Sequence, residues 1–175
     1  MTRPFTLMSL LTVALIFPTR LHADAGPWIS SGWYLPVGLN LGAGIHPDLN
    51  HGFVLGGEIS AAYLSSRNGV WGGLYVDGVW DWGSDTTRVS FGGEVGFAFI
   101  GLDMGYLWDI GPGWDHRQGL SLRGLLTISI VTITGRWGHL FSGDPVERDF
   151  GEVGILIKFP IFLTEGGRAY RPRRE

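Results

Sequence analysis

The 175-residue chain contains no cysteine. Disulfide bonds are therefore excluded, and an exported form of the chain must be held together by its own packing or by its surroundings. Long apolar runs are also missing after residue 25, where the longest, LLTISIVTI at 125–133, has nine residues. A membrane-spanning helix needs about 20 apolar residues, so the sequence predicts none in that part of the chain.

Charge of either sign is sparse, with 13 Lys and Arg against 16 Asp and Glu. Four of the arginines, at positions 168, 171, 173 and 174, lie within the last eight residues. The remainder of the chain is acidic, which argues against nucleic acid as a partner. The segment 164–175 is predicted to be a basic, disordered tail, with anionic lipid headgroups, peptidoglycan or a periplasmic protein partner as its alternative contacts.

The N-terminal segment MTRPFTLMSLLTVALIFPTRLHADA has the features of an export signal. Arg3 supplies a positive start, residues 5–17 form a 13-residue apolar core, and an A-x-A cleavage pattern ends at Ala25. Residues 1–25 are therefore predicted to be a cleaved signal peptide, with an uncleaved anchor as the alternative. The mature domain is predicted to span 26–163.

Glycine, in contrast, is abundant: its 29 residues are more than twice the usual share of about 7%. The stretch FGGEVGFAFIGLDMGYLWDIG, residues 91–111, shows how the glycines are placed. Large apolar side chains take every second position, and small or acidic residues take the others. Successive side chains of a strand point to opposite faces, so the pattern predicts a hairpin with a tight turn at Ile100-Gly101.

This strand pattern recurs along the chain. LGGEIS around Glu58 matches FGGEVG around Glu94, and FGEVGI around Glu152 is a third copy. Together these segments predict an all-β fold, an eight-stranded antiparallel up-and-down barrel. The predicted strands are 33–45, 52–64, 70–82, 88–99, 102–110, 119–127, 131–141 and 150–163. The predicted polar connections are 46–51, 83–87, 111–118 and 142–149.

The size of the apolar side chains indicates which face is outside. An eight-stranded barrel has a lumen only just wide enough for side chains, and the aromatic residues of the apolar face would overfill it. Small and charged residues suit a narrow interior, so the barrel is predicted to be transmembrane, with a soluble lipocalin-like carrier as the alternative. The predicted aromatic girdles at the two rims are Phe53, Trp80, Trp82, Phe91 and Trp108, and Trp33, Tyr63, Phe97, Phe99 and Phe159.

These features resemble the small outer-membrane barrels of the OmpA/OmpX type: a signal peptide, eight amphipathic strands, short turns and aromatic rims. The resemblance covers residues 33–163 and is architectural. It implies a Gram-negative outer membrane as the location, with lipid and the outer-membrane assembly machinery as partners. Such barrels usually end in an aromatic residue that the machinery reads. Here FPIFL precedes a tail, so Phe159 or Phe162 is the candidate signal.

Charged residues fall on the predicted inward face. An ion in a narrow interior must be paired, because its desolvation costs several kcal/mol. We therefore predict a salt-bridge network that fills the lumen and sets strand register, with an ion path or proton-coupled gate as the alternative. The predicted network is Glu58, Asp77, Glu94, Asp103, Arg123, Arg136, Glu152 and Lys158.

Catalysis finds weaker support in the sequence. A lipid-modifying enzyme would need a Ser/His/acid set at the rim, such as His139, Ser142 and Asp144 or Glu147. The spacing HLFS differs from the His-x-Ser pairing of lipid A deacylases, and buried carboxylates would lack access to substrate. We predict no catalytic residue and expect a structural or interaction protein.

A metal site in the first loop would use His46, Asp48 and His51. Two histidines five residues apart in a loop are a weak signal, so no metal and no cofactor is predicted.

Two prolines, Pro36 and Pro160, fall on the two strands that close the barrel. Proline removes a ladder hydrogen bond, which predicts a locally weakened closing seam.

Overall fold

The computed structural model describes residues 31–46, 51–65, 67–112, 115–143, 145 and 148–164. The strands in this part of the chain are β1 (Gly32–Ile45), β2 (Gly52–Ser65), β3 (Val70–Asp81), β4 (Thr86–Phe97), β5 (Ile100–Ile110), β6 (His116–Ile128), β7 (Val131–Leu140) and β8 (Asp149–Thr164). Each strand pairs antiparallel with the next, and β8 closes on β1. The predicted all-β fold, a closed eight-stranded antiparallel barrel, is confirmed.

The described residues include no helix that is long and apolar enough to cross a membrane. The predicted signal peptide lies outside these residues, as does the tail beyond Thr164. Both assignments therefore stay predictions.

The two ends of the barrel differ in their connections. At one end, called the loop end, lie the connections of four to eight residues that follow β1, β3, β5 and β7. At the other, called the turn end, lie the turns of two to four residues that follow β2, β4 and β6, together with the start of β1 and the end of β8. The chain therefore runs up and down around the barrel, as predicted.

Burial alternates along the strands as the residue pattern predicted. In β5 the side chains of Asp103, Leu107 and Asp109 are buried, whereas Leu102 and Met104 are exposed. Large apolar side chains thus cover the outside of the barrel, and small or charged ones face its interior. The period-two pattern arises because a strand's side chains point alternately to its two faces.

The tight turn between β4 and β5 lies two residues earlier than predicted. Phe97 pairs with Ile100, so Ala98 and Phe99 form the turn, and Ala98 has a φ of 48°. The assignment of Ile100-Gly101 to the turn was wrong. Gly101 lies in β5 and faces the interior, where the Trp71 ring occupies the space that a Cβ would need.

The turn between β6 and β7, at residues 129–130, contains no glycine. Ser129 adopts a φ of 60° there, a conformation that only a minority of non-glycine residues take. At the loop end β6 begins at His116, earlier than the predicted residue 119. Pairing with β5 accounts for the extension, since Ile110 lies opposite His116.

The closing seam between β1 and β8 is continuous past both prolines. Pro36 lies directly opposite Pro160, and pairing continues from Tyr34 to Ile45. The gap falls instead in the β1–β2 ladder, which lacks pairs at residues 35 and 36. Because hydrogen-bonding directions alternate along a strand, the donor that Pro36 lacks would point toward β2. The β1–β8 ladder itself has a register shift between Trp33 and Tyr34, and the local weakening of the seam stays a prediction.

The interior is layered along the barrel axis. Ala62, Leu125 and Leu156 are buried toward the turn end, and Leu107, Leu140 and Phe150 are buried toward the loop end. Between these apolar layers lie buried carboxylates and guanidinium groups. The charged side chains are therefore held in the middle of the lumen and just below the loops.

Candidate functional site: the charged lumen

The predicted lumen network is brought together inside the barrel. We call its middle part the central cluster, defined by Glu58, Asp77, Glu94, Asp103, Arg123, Arg136 and Lys158. Six of these residues are at most 7% exposed, and the Lys158 side chain is 17% exposed. Each comes from an inward position of a strand, so the alternation of the strands is what assembles the cluster.

Arg123 holds three carboxylates of the central cluster. Its Nε donates to Asp103 Oδ2 at 2.6 Å, and its Nη2 lies 2.6 Å from Glu58 Oε2. Its Nη1 donates to Asp77 Oδ2 at 3.3 Å. The guanidinium carbon also lies 5.0 Å from the centre of the Tyr75 ring, within cation–π range.

Asp77 has three donors around it. Arg123 and Arg136 both donate to its Oδ2, and the Ser90 hydroxyl donates to its Oδ1. Asp77 therefore separates two arginines that would otherwise repel each other. Arg136 and Arg123 are direct cross-strand neighbours.

Lys158 supplies the positive charge for two other carboxylates of the central cluster, Glu58 and Glu94. Its Nζ lies 2.5 Å from Glu58 Oε1 and 3.1 Å from Glu94 Oε2, and it donates to the Ser60 hydroxyl at 3.3 Å. Glu58 thereby contacts two cations, Lys158 and Arg123. Glu94 has one such partner among the described ion pairs.

A second group of ions lies toward the loop end, and the sequence reasoning assigned only its Glu152 to the lumen. We call it the loop-side cluster: His46, Asp81, Arg88, Asp109, Arg117 and Glu152. Arg88 is 2% exposed and contacts Asp81, Asp109 and Glu152. The missed signal was parity, since Arg88 lies two residues before the inward Ser90.

The outer edge of the loop-side cluster is also paired. Arg117 Nη2 donates to Asp109 Oδ2 at 2.6 Å, and His46 Nε2 lies 2.7 Å from Asp81 Oδ2. Arg136 Nη1 lies 3.3 Å from Glu152 Oε2, which joins this cluster to the central one. The ion pairs thus run without interruption from the middle of the lumen to the loops.

Aromatic rings fill the remaining interior by packing on inward glycines. Trp71 lies against Gly96 and Gly101 near the turn end, and Phe150 lies against Gly138 near the loop end. These rings were not anticipated as lumen residues. Because glycine has no Cβ, the ring can occupy the space that a side chain at that position would fill.

A small void lies between these groups. It measures about 20 Å³ and is lined by Asn40, Arg136 and Glu152 among others. Such a space holds about one water molecule. Within the described residues Asn40 Nδ2 and Arg136 Nε have no hydrogen-bond partner, so both are placed to bind a water there.

The outward aromatic residues also occupy their predicted face. All ten girdle side chains are at least 37% exposed, and Trp33 packs against Tyr63 with ring centres 5.6 Å apart. Near the loop end Phe91 and Trp108 stack at 5.3 Å. Tyr106, Trp137 and Phe141 extend this group and were not named from the sequence. Their role at a membrane interface remains a prediction.

The rim histidine has a different acid partner from those proposed. His139 Nδ1 lies 3.0 Å from Asp149 Oδ1, its cross-strand neighbour, and both side chains are exposed. Asp144 and Glu147 lie outside the described residues. No hydrogen bond within the described part of the chain joins Ser142 to His139.

The histidines considered for a metal are separated by their contacts. His46 is buried against Asp81, whereas His51 is exposed. Asp48 lies outside the described residues.

Comparison with other proteins gives no match: no protein-family model, no curated protein and no solved structure matches this chain.

Proposed function

We propose that this chain is a small outer-membrane β-barrel of the OmpA/OmpX type, with a structural or interaction role and a lumen filled by its own side chains. Lipid is its permanent partner, and the outer-membrane assembly machinery inserts it after export. The observation that carries the proposal is an apolar outer wall around a charged interior.

The outer wall supports a lipid environment. Among the described residues, 35 large apolar side chains are more than a third exposed. Soluble monomers rarely expose contiguous apolar patches above a few hundred Å². In lipid the arrangement is favourable, because a closed barrel leaves no unpaired sheet edge and an apolar exterior needs no water.

The interior supports a structural role more than transport or carriage. A carrier barrel needs an apolar cavity, but here Arg123 and Arg136 with their carboxylates occupy the centre of the lumen. An ion path needs a continuous water-filled route, and the paired side chains fill it. A rim enzyme is less supported, because within the described residues His139 contacts Asp149 and no nucleophile.

The first test is cell fractionation, followed by a denaturing gel of the membrane fraction with and without boiling. We expect the protein in the outer membrane, with a mobility that changes on heating, because a closed barrel resists detergent until it is boiled. A periplasmic protein without a heat-dependent shift would overturn the proposal.

A matched pair of variants tests whether the outer wall of the barrel faces lipid or water. Val76 is 56% exposed and lies on the outward face between Ile59 and Phe91. Val76→Arg is expected to cost about 2–4 kcal/mol in a bilayer but almost nothing in water. His51→Arg, in an exposed loop, is the control and should leave stability unchanged. Equal stabilities for the two variants would contradict a lipid-facing wall.

A further inference from the structure

The charges inside the barrel do not balance. Seven carboxylates of the two clusters face five arginine and lysine side chains, so carboxylates outnumber these cations by two. The loop-side cluster also contains His46, which contacts Asp81. The central cluster, with four carboxylates and three cations, contains no histidine.

Strand register shows where the central excess lies. One row of paired residues crosses five strands in the order Glu94, Asp103, Arg123, Arg136 and Glu152. This row contains two pairs of like-charged neighbours: the arginine pair Arg123 and Arg136, and the carboxylate pair Glu94 and Asp103. Directly opposite residues have Cβ atoms about 4.5–5.5 Å apart, so like charges there repel.

The two like-charged pairs are treated differently by their surroundings. Asp77 accepts hydrogen bonds from both arginines and bridges them. No described cation contacts both Glu94 and Asp103. Arg123 contacts Asp103, and Lys158 contacts Glu94. The carboxylate pair is therefore the one unbridged repulsion in the row.

One oxygen of this pair is left for a proton. Both contacts of Arg123 with Asp103 go to Oδ2. Asp103 Oδ1 is buried and has no hydrogen-bond partner among the described residues. Glu94 lies directly opposite Asp103, and the Arg123 guanidinium that contacts Asp103 also contacts Glu58 and Asp77. One arginine shared by three carboxylates compensates Asp103 only in part, and a buried charge without full compensation is neutralised in preference to staying ionised.

We propose that Glu94 and Asp103 form a proton-binding site that holds one proton between the two carboxyl groups inside the folded barrel. The proton is taken up from water as the barrel closes, and it turns a repulsive pair into a hydrogen-bonded one. The charged groups facing the pair come from β2, β3, β6, β7 and β8: Glu58, Asp77, Arg123, Arg136 and Lys158. Glu58 and Asp77 each have two cationic partners.

The site gives stability a defined pH dependence. Above about pH 5 the carboxyl groups of an unfolded chain are ionised. A folded state that keeps one extra proton then loses stability as pH rises, and its unfolding constant increases tenfold per pH unit until the proton leaves. Asp103→Asn needs no proton and lacks this dependence.

The experiment measures unfolding of the purified full chain in urea at several pH values above 5, for the wild type and Asp103→Asn. We expect the ratio of their unfolding constants to change tenfold per pH unit. Ser90→Ala is the control, because it removes a buried hydrogen bond to Asp77 and leaves the number of carboxylates unchanged. Its ratio to the wild type should not change with pH. A pH-independent ratio for Asp103→Asn would overturn the proposal.

Infrared spectroscopy of the folded wild type in D₂O gives a readout that does not depend on any variant folding. A protonated carboxyl group has its own carbonyl stretch, distinct from that of a carboxylate. We expect one such band in the wild type at neutral pH. Absence of the band, or stability that follows the concentration of added Na⁺ or Mg²⁺ instead of pH, would show that a cation fills this role and would refute the site. These readouts do not depend on membrane location, so they are distinguishable from failure of the proposed function.

Discussion

At the scale of single residues, the interior depends on pairs in which one member is small and the other large. Trp71 illustrates this, because its ring lies where the Cβ atoms of Gly96 and Gly101 would be. Glycine at these positions serves packing and not chain flexibility. The inward glycines and the Trp71 ring thus fit together in a lumen only wide enough for side chains.

Gly101→Ala should destabilise the barrel. The new Cβ would lie 2.5 Å from Trp71 Cζ2, and overpacking of this kind costs about 1–3 kcal/mol. Denaturant unfolding in detergent measures the loss. Gly135→Ala is the matched control, because it faces outward with no atom within 4 Å, and its stability should stay within about 0.5 kcal/mol.

The same change in a Trp71→Ala background tests the cause. With the ring removed, Gly101→Ala should lose most of its cost, since the two positions share one volume. An undiminished cost in that background would mean that the backbone, and not the ring, requires glycine at this position.

At the scale of strands and turns, the structure places glycine inside the barrel and leaves two turns without it. Ala98 and Ser129 both adopt positive φ in tight turns. Sequence reasoning placed the first of these turns at the nearest glycine and was two residues off. A glycine usually marks a hairpin turn because it tolerates positive φ. Here Gly101 packs against Trp71 inside the barrel, and Ala98 takes the turn position.

Ala98→Gly is expected to stabilise the barrel by about 0.5–1 kcal/mol. Left-handed backbone costs about 1–2 kcal/mol for a residue with a Cβ, and part of the gain is lost to the greater freedom of glycine in the unfolded chain. Ala61→Gly, at an exposed position of β2, is the control and should destabilise, because glycine weakens a strand. If both variants shifted the unfolding midpoint in the same direction from that of the wild type, this account of the turn would be contradicted.

At the scale of the whole molecule, the charged middle and the apolar layers together close the lumen. Arg136 joins the central cluster to the loop-side cluster through Asp77 and Glu152, so the ion pairs span most of the interior. Removing one partner of a buried pair costs about 3–5 kcal/mol, which makes a spontaneous opening of this network rare. We therefore expect the barrel not to conduct ions.

Reconstitution into planar bilayers should therefore give no discrete conductance steps above the lipid background. The reason is that the pairs around Arg123 and Arg136 would have to separate before water could form a path. Trp71→Ala is a useful comparison, since it empties only the turn end and should also stay silent. Discrete, reproducible steps in the wild type would contradict a sealed lumen.

Much of this arrangement could be predicted from the sequence. The eight strands were placed to within a few residues because period-two alternation is strong in FGGEVG, LGGEIS and their relatives. The eight predicted lumen ions all face inward for the same reason. Arg88, Asp109 and Trp71 obey the same parity but were not singled out, because nothing local separates an inward charge or ring from one near a loop.

What the sequence alone determined was the face of each residue and hence the closed antiparallel barrel, because side-chain direction in a strand follows from position along the chain. Register, partners and turn positions were decided only by the tertiary structure. Asp149 became the partner of His139, Trp71 took the space of Gly101, and Glu94 was set opposite Asp103. These outcomes depend on how far one strand slides along the next, which is set by the fit of all eight strands around a shared interior.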